Sequence, residues 1–145
     1  MTLQRFLELA EREVSDVNRQ AAEAALDLGV AVLGLPGQRI RWFQEAAISV
    51  PADRIAFARE ITGPMMSTVD GRTTDGEPGV IWIRAGRATR GIVESVLHEC
   101  WHQAAREGAS AGRPRADRDV EEAAALAYGR SMPDLVEQLV EAFGP

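Results

Sequence analysis

The chain has 145 residues, of which 46% are hydrophobic and 26% are charged, and this composition is typical of one soluble globular domain rather than a disordered chain. Its net charge of -6, with arginines scattered among acidic residues, argues against a nucleic-acid partner, because binding phosphates requires clustered Lys and Arg. No stretch has the apolar pattern of a membrane span or a signal peptide, so we expect a cytoplasmic protein with no membrane partner.

The first part of the chain has the pattern of a long amphipathic helix. Apolar residues recur at helical spacing over residues 2–28, with Thr2 as the N-cap and Gly29 as the residue that ends the helix. A short apolar connection then leads to RIRWF (39–43), whose alternation predicts a strand. We expect the N-terminal helix to be scaffold.

The middle of the chain alternates between turn-rich and apolar segments. Residues 51–61 suit a short helix with Pro51 at its first position. Residues 62–79 contain two Asp-Gly pairs and many turn formers, which indicates a loop or an irregular hairpin. The segment GVIWIRAG (79–86) is rich in β-branched and aromatic residues and bounded by glycine, so it predicts a buried strand.

The last part of the chain changes to a helical period. The pattern predicts helices from Thr89 to about Glu107, over about 118–130 and over about 133–143, with a turn-rich loop at 108–117. The apolar stripe of the first of these helices consists of Ile92, Val93, Val96, Leu97, Cys100 and Ala104. Because Cys100 is the only cysteine, the chain has no internal disulfide and no cysteine-rich zinc site, and we expect this thiol to be buried and inert.

The segment His98-Glu99-Cys100-Trp101-His102 has the HExxH pattern. Residues four apart lie on one face of a helix, so His98 and His102 can both point their imidazoles at one Zn²⁺ ion. Glu99 is rotated by about 100° from His98, which places it beside the metal, where it can act as general base and acid towards a zinc-activated water. The other residues of the histidine face are small or polar and suit a cleft, namely Gly91, Glu94, Ser95 and Ala105.

A catalytic zinc site needs a third protein ligand, and a chain with only two histidines must supply a carboxylate. Glu121 and Glu122 follow His102 by 19 and 20 residues, which is enough for a loop and an antiparallel return. Counted from Val120, Glu121 lies about 100° and Glu122 about 200° around the helix, so Glu121 is expected nearer the buried side. The side expected to be buried is the small apolar face of this helix, which centres close to Val120 and consists of Val120, Ala123, Ala124 and Ala127.

The strand GVIWIRAG, the helix with HECWH and the helix EEAAALAYG span residues 79–130 and resemble the small gluzincin-type metallopeptidases, including the ImmA/IrrE-like group. The resemblance implies a compact α+β zincin-like fold, with a small twisted β-sheet packed against several helices including the HExxH helix. It also implies that the strand at 80–84 lines the cleft and can pair with an extended substrate. We therefore expect residues 1–145 to form one metallopeptidase domain.

The same resemblance implies a set of site residues. His98 and His102 would bind Zn²⁺, Glu99 would be the general base and acid, and Glu121 or Glu122 would be the third ligand. The ImmA/IrrE-like pattern E-x-x-A-N-x-F-A, aligned on an alanine of this helix, selects Glu121, whereas comparison with the larger gluzincins favours Glu122. Both glutamates therefore stay candidates.

These features predict a zinc-dependent metallopeptidase that hydrolyses a peptide or protein substrate. Tyr128 and Arg130, on the same helix as the two glutamates, are candidate donors to the oxyanion of the transition state. One alternative is a catalytically inactive zincin-like module that binds metal for regulation or interaction, for example in a phage or mobile element. Another is a structural protein of such an assembly, in which His98 and His102 bind no metal. Hydrolysis that depends on Glu99 would distinguish the peptidase from both alternatives.

Overall fold

The structure is a computed structural model that describes residues 5, 8, 11–12, 14–43, 71–73, 79–130, 138 and 141–142. The described helices and strands are, in chain order, α1 (Asp16–Leu33), β1 (Arg39–Phe43), β2 (Gly71–Thr73), β3 (Val80–Arg84), α2 (Thr89–Ser110) and α3 (Arg118–Arg130). The fold is α+β, as expected, and the described helices α1, α2 and α3 pack together with a small sheet.

The described strands form one mixed sheet in the order β1-β3-β2. β1 pairs with β3 in parallel, with Ile40 opposite Ile81, and β2 pairs with β3 antiparallel, with Arg72 opposite Trp82. The predicted strands at 39–43 and 79–86 are confirmed, and β2 shows that 62–79 contains part of a hairpin. The rest of that segment and the helix predicted at 51–61 lie outside the described residues.

β3 is the central strand, which corrects the expectation that it pairs with a substrate. Its residues 81–83 pair with β1 on one side and with β2 on the other. Ile81 and Trp82 point to opposite faces of the sheet, and both are fully buried. Both faces of β3 are therefore covered by other parts of the protein, which explains the continuous apolar run in its sequence. The available edges of the described sheet belong to β1 and β2.

The N-terminal helix differs from the single helix predicted over 2–28. α1 begins at Asp16, because Ser15 is its N-cap and the Ser15 Oγ accepts a hydrogen bond from the Asn18 backbone N–H at 3.1 Å. Residues 5, 8, 11 and 12 are also helical, whereas Val14 and Ser15 are not. The continuous amphipathic pattern therefore concealed an interruption, and the proposed N-cap Thr2 lies outside the described residues.

Gly29 lies inside α1 and does not end it, which is a second correction. The helix continues to Leu33 and ends at Gly34, whose φ of 65° is the left-handed conformation that glycine adopts at a C-cap. A Cβ atom on Gly29 would lie 2.6 Å from the Sγ atom of Cys100. Gly29 is therefore a packing residue that allows α1 to approach α2 closely.

The predicted apolar stripe of α2 forms the centre of the core. Five residues of this stripe are fully buried, namely Ile92, Val93, Val96, Leu97 and Cys100. The sixth residue, Ala104, is partly buried against the same cluster. Burial, with a further contribution from the nearby Glu99, raises the pKa of the Cys100 thiol to about 12, so this cysteine is inert as expected. α2 therefore lies between α1, α3 and the sheet, and its position is set by the core.

Polar contacts away from open solvent tie α2 to α1 at its start and to the sheet at Gln103. The Thr89 Oγ1 donates to Asn18 Oδ1 at 2.5 Å, and Asn18 Nδ2 donates to the Arg87 carbonyl at 3.1 Å, which joins the start of α2 to α1. Further along α2, Gln103 Nε2 donates to Gln38 Oε1 at 3.0 Å and to the Val80 carbonyl at 3.3 Å. These bonds hold the HExxH helix in one orientation relative to the sheet.

α3 confirms the helix predicted at 118–130 but buries a different face from the one expected. Val120 is 56% exposed, whereas the buried residues are Glu121, Ala125, Tyr128 and Gly129. The predicted face was wrong because alanines occur all around this helix, so their spacing does not identify one side. Residues 138, 141 and 142 are helical, and the remainder of the helix predicted at 133–143 lies outside the described residues. None of the described helices combines the length and apolar character required to cross a membrane.

Candidate metal centre

The two histidines of the HExxH segment converge on one point. His98 Nε2 and His102 Nε2 are 3.3 Å apart, and the ring centroids are 5.0 Å apart. Two nitrogen ligands of a tetrahedral zinc ion, each at ~2.0–2.1 Å from the metal, are separated by about 3.3 Å. The distance between the two Nε2 atoms therefore fits a shared metal ion.

Glu122 faces both of these nitrogens. Its Oε1 lies 2.8 Å from His98 Nε2, and its Oε2 lies 2.9 Å from His102 Nε2. The Glu122 side chain is 58% exposed, whereas those of His98 and His102 are 17% and 14% exposed. The cluster is therefore set into the surface, with the carboxylate on the solvent side.

Glu121 lies behind the cluster, on the opposite edge of the His102 ring. Its Oε2 is 2.7 Å from His102 Nδ1, and its Oε1 accepts a hydrogen bond from Arg115 Nε at 2.6 Å. The Arg115 hydrogen bonds and then the bond to His102 outweigh the opposing effect of burial and lower the pKa of Glu121 to about 2. Glu121 is thus an ionised, buried acceptor for the Nδ1–H of His102.

Glu99 is the second buried carboxylate beside the histidines. It is 4% exposed, and its Oε2 lies 3.7 Å from His98 Nε2. One ligand atom from each of His98, Glu99 and His102 lies within 4.8 Å of the others, so this group can hold a metal ion. The offset of Glu99 from the histidine pair agrees with the helical rotation expected from the sequence.

The surroundings of His98 favour its neutral form. Burial is the largest cause of a lowered pKa for His98, and the neighbouring Glu122 opposes it. Only a neutral imidazole can donate a lone pair to a metal ion. The burial of His98 therefore prepares it to act as a ligand near neutral pH.

α3 reaches the histidines because a glycine allows close contact. A Cβ atom on Gly129 would lie 2.8 Å from the Glu94 backbone oxygen and 3.5 Å from the His98 Cβ atom. Gly129 is two helical turns from Glu122 and therefore lies on a similar side of α3. The histidine face of α2, expected to open onto a cleft, is covered by α3 around Glu94 and His98.

The other residues named from the sequence lie in different surroundings. Tyr128 is 8% exposed and belongs to the core, with its ring centroid 5.2 Å from that of Trp101. These contacts explain Tyr128 as a packing residue, and its role as a transition-state donor stays a prediction. Arg130 is exposed at the end of α3. Arg115 was not identified from the sequence, because an arginine in an irregular loop has no periodicity that relates it to a helix.

The chain has no significant match among protein-family models, curated proteins or solved structures. The resemblance to the small gluzincins therefore rests on the motif and its spacing.

Proposed function

We propose that this chain is a zinc-dependent metallopeptidase with a zincin-like fold, similar to the small gluzincins. The observation that carries the proposal is the convergence of His98 Nε2, His102 Nε2 and the Glu122 carboxylate beside the buried Glu99. The order of β3, α2, a short loop and α3 agrees with the strand, HExxH helix and glutamate helix of that group.

The ligands in this proposal are His98, His102 and Glu122. Glu121 Oε2 lies 2.7 Å from His102 Nδ1, and hydrogen on Nδ1 alone would leave a lone pair on the Nε2 of that ring. A Glu122 oxygen lies 2.9 Å from that Nε2, so the two atoms are close enough to bind one metal ion together. One metal ion satisfies the contacts of all three groups at once, which supports Glu122 as the third ligand and Glu121 as the residue that orients His102.

The donor set favours zinc over the harder divalent cations. Two imidazoles and one carboxylate match the ligands of catalytic zinc sites, whereas Ca²⁺ and Mg²⁺ prefer oxygen alone. Three protein ligands leave a fourth position for water or substrate. When bound, zinc supplies Lewis-acid chemistry, because it polarises a carbonyl group and makes a water molecule acidic enough to ionise near neutral pH.

Glu99 handles the proton in this mechanism. It accepts a proton from the attacking water and then gives it to the amine that leaves when the peptide bond breaks. Its burial limits its motion, and its position beside His98 keeps it close to the ligands. A carboxylate beside the ligands is suited to general acid–base catalysis on a metal-bound water.

Within the described residues, the outer strand β2 offers a place for an extended substrate. β2 is an outer strand of the described sheet and packs against α2, which carries the histidines. A peptide that adds to β2 by backbone hydrogen bonds would lie along the side of the HExxH helix. In this proposal the substrate pairs with β2, and not with the central strand β3 that was expected from the sequence.

The test combines metal content with turnover. We expect the purified wild-type chain to bind one zinc ion and the variants His98→Ala and Glu122→Ala to lose it. Glu107→Ala should retain the zinc, because Glu107 is an exposed residue of α2, the helix that carries the histidines. Glu99→Gln should keep the zinc but hydrolyse a peptide library ~10²–10⁴ times more slowly than wild type, with Glu107→Gln as the matched control.

Two results would contradict this proposal. A wild-type chain that takes up no zinc, measured by elemental analysis after equilibration and dialysis, would exclude the metal centre. A chain that binds zinc through these ligands but shows no hydrolysis sensitive to Glu99 would instead support the inactive metal-binding module.

A further inference from the structure

Arg115 binds the carboxylate of Glu121 with two hydrogen bonds. Its Nε donates to Oε1 at 2.6 Å and its Nη2 donates to Oε2 at 2.9 Å. A paired contact of this kind fixes both the position and the plane of a carboxylate, because the guanidinium group is rigid and planar. The same Oε2 atom lies 2.7 Å from His102 Nδ1, so the three side chains form a continuous chain of contacts.

The loop that carries Arg115 is attached at both ends. At its start, the Arg113 N–H donates to the Gly108 carbonyl at 2.9 Å, and Gly112 adopts a φ of 85° that glycine tolerates. At its end, Asp117 Oδ1 accepts a hydrogen bond from the Val120 N–H at 3.1 Å and caps α3. Arg115 is therefore held at a defined place between α2 and α3.

We infer that Arg115 is a positioning residue of the metal site, which acts on His102 through Glu121. Glu121 can hold the Nδ1–H of His102 only while its own carboxylate is oriented, and Arg115 provides that orientation. The tautomer with hydrogen on Nδ1 leaves the Nε2 lone pair directed at the metal. This inference rests on the proposed function, because it assigns a role to Arg115 at the metal site proposed there.

Arg115 is well placed for this role because it donates no ligand atom. Its side chain is 40% exposed, so its removal leaves His98, His102 and Glu122 in the chain and creates no large cavity. Loss of a residue that supports a ligand commonly lowers metal affinity by ~10–100-fold. A lysine at this position keeps the charge but cannot make the paired contact.

The experiment measures zinc affinity by competition with a chromophoric chelator. We expect Arg115→Ala to bind zinc at least ~10-fold more weakly than wild type, and Arg113→Ala, on the same loop, to bind within about twofold. The absorption spectrum of bound Co²⁺ should change in Arg115→Ala and stay unchanged in Arg113→Ala. Arg115→Lys should also weaken zinc binding. If Arg115→Ala does not fold, the zinc affinity of Arg115→Lys tests the positioning role of Arg115.

A double variant separates an action through Glu121 from a general effect on the fold. Glu121→Gln should weaken zinc binding, and Arg115→Ala combined with Glu121→Gln should bind no more weakly than Glu121→Gln alone. The inference is overturned if Arg115→Ala and Arg115→Lys bind zinc as wild type does, or if the losses in the double variant multiply. A wild-type chain that binds no zinc would overturn the proposed function as well.

Discussion

At the scale of single residues, two adjacent glutamates have different partners because they differ by one step around a helix. Glu121 is buried and contacts the Nδ1 atom of His102, whereas Glu122 is exposed and contacts the Nε2 atoms of both histidines. A rotation of about 100° separates them, which is enough to place one behind the imidazole and the other in front of it. The sequence predicted that both were candidates and that Glu121 was nearer the buried side, and the structure confirms that burial order.

The paired contact of Glu121 with Arg115 gives a pH prediction. The pKa of Glu121 is about 2 in the folded chain, against an ordinary value of 4.5, so ionised Glu121 stabilises the fold above about pH 4.5. This stabilisation is lost as the pH falls from 4.5 towards 2, because the proton then binds the unfolded chain more tightly. The shift corresponds to about 3 kcal/mol at neutral pH, and because solvent screens the 40% exposed Arg115, we expect on the order of 2 kcal/mol.

Chemical denaturation of the metal-free chain at several pH values measures this effect. The free energies of unfolding of wild type and Glu121→Gln should differ at pH 6 and converge as the pH approaches 2. A difference that stays constant across this range would show that the ionisation of Glu121 does not contribute to stability.

At the scale of secondary-structure elements, α2 combines two functions on different faces. Its apolar stripe fills the core, and its histidine face meets α3. The sequence predicted the apolar stripe and the shared face of the two histidines, because the spacing of these residues is a local property. It did not predict that α3 covers the histidine face around Glu94 and His98. It was wrong about α1 at two places. The Ser15 cap is a local signal that the continuous apolar pattern concealed, whereas Gly29 contacts Cys100, a residue distant in sequence.

The contact between α1 and α2 predicts that Gly29→Ala destabilises the chain. Alanine favours a helix by ~1 kcal/mol over glycine, but its Cβ atom would lie 2.6 Å from Cys100 Sγ and force the two helices apart. Overpacking of a core costs ~1–3 kcal/mol, so we expect a net loss of about 1 kcal/mol in the free energy of unfolding.

Denaturation of Gly29→Ala, Cys100→Ala and the double variant checks this contact. The double variant should lose less free energy of unfolding than the two single variants lose when their losses are added. The reason is that Cys100→Ala removes the sulfur that the new methyl group meets. Gly37→Ala is the control, since a Cβ atom there would meet nothing within 4 Å. An increase in stability for Gly29→Ala would contradict the packing role of Gly29.

At the scale of the whole molecule, the site joins segments that the core holds in place. α2 provides the histidines and Glu99, α3 provides Glu121 and Glu122, and the loop between the helices provides Arg115. The close approach at Gly129 brings α3 against α2, and the contacts of α2 with α1 and the sheet fix its other sides. A metal ion bound to this site would therefore link α2 to α3 and stabilise the folded chain.

This linkage predicts that zinc raises the melting temperature. A ligand that binds only the folded state at 100 times its Kd adds ~2.7 kcal/mol to the free energy of unfolding. For a chain of this length the corresponding rise in Tm is roughly 5–10 °C. Thermal denaturation with and without zinc should show this rise for wild type and none for His98→Ala, while Mg²⁺ at the same concentration should have no effect on wild type.

The sequence by itself determined the α+β class, strands β1 and β3, helices α2 and α3, and the HExxH segment with its offset glutamate. The strands, the helices and the HExxH segment follow from the spacing of neighbouring residues, and the fold class follows from the resemblance that these segments carry. Only the tertiary structure decided that Glu122 faces the two Nε2 atoms, that Glu121 and Arg115 support His102 and that Tyr128 lies in the core. The physical reason is that the rotation of α3 depends on where it packs against α2, and close contacts such as that of Gly129, which the spacing of alanines does not encode, set that packing.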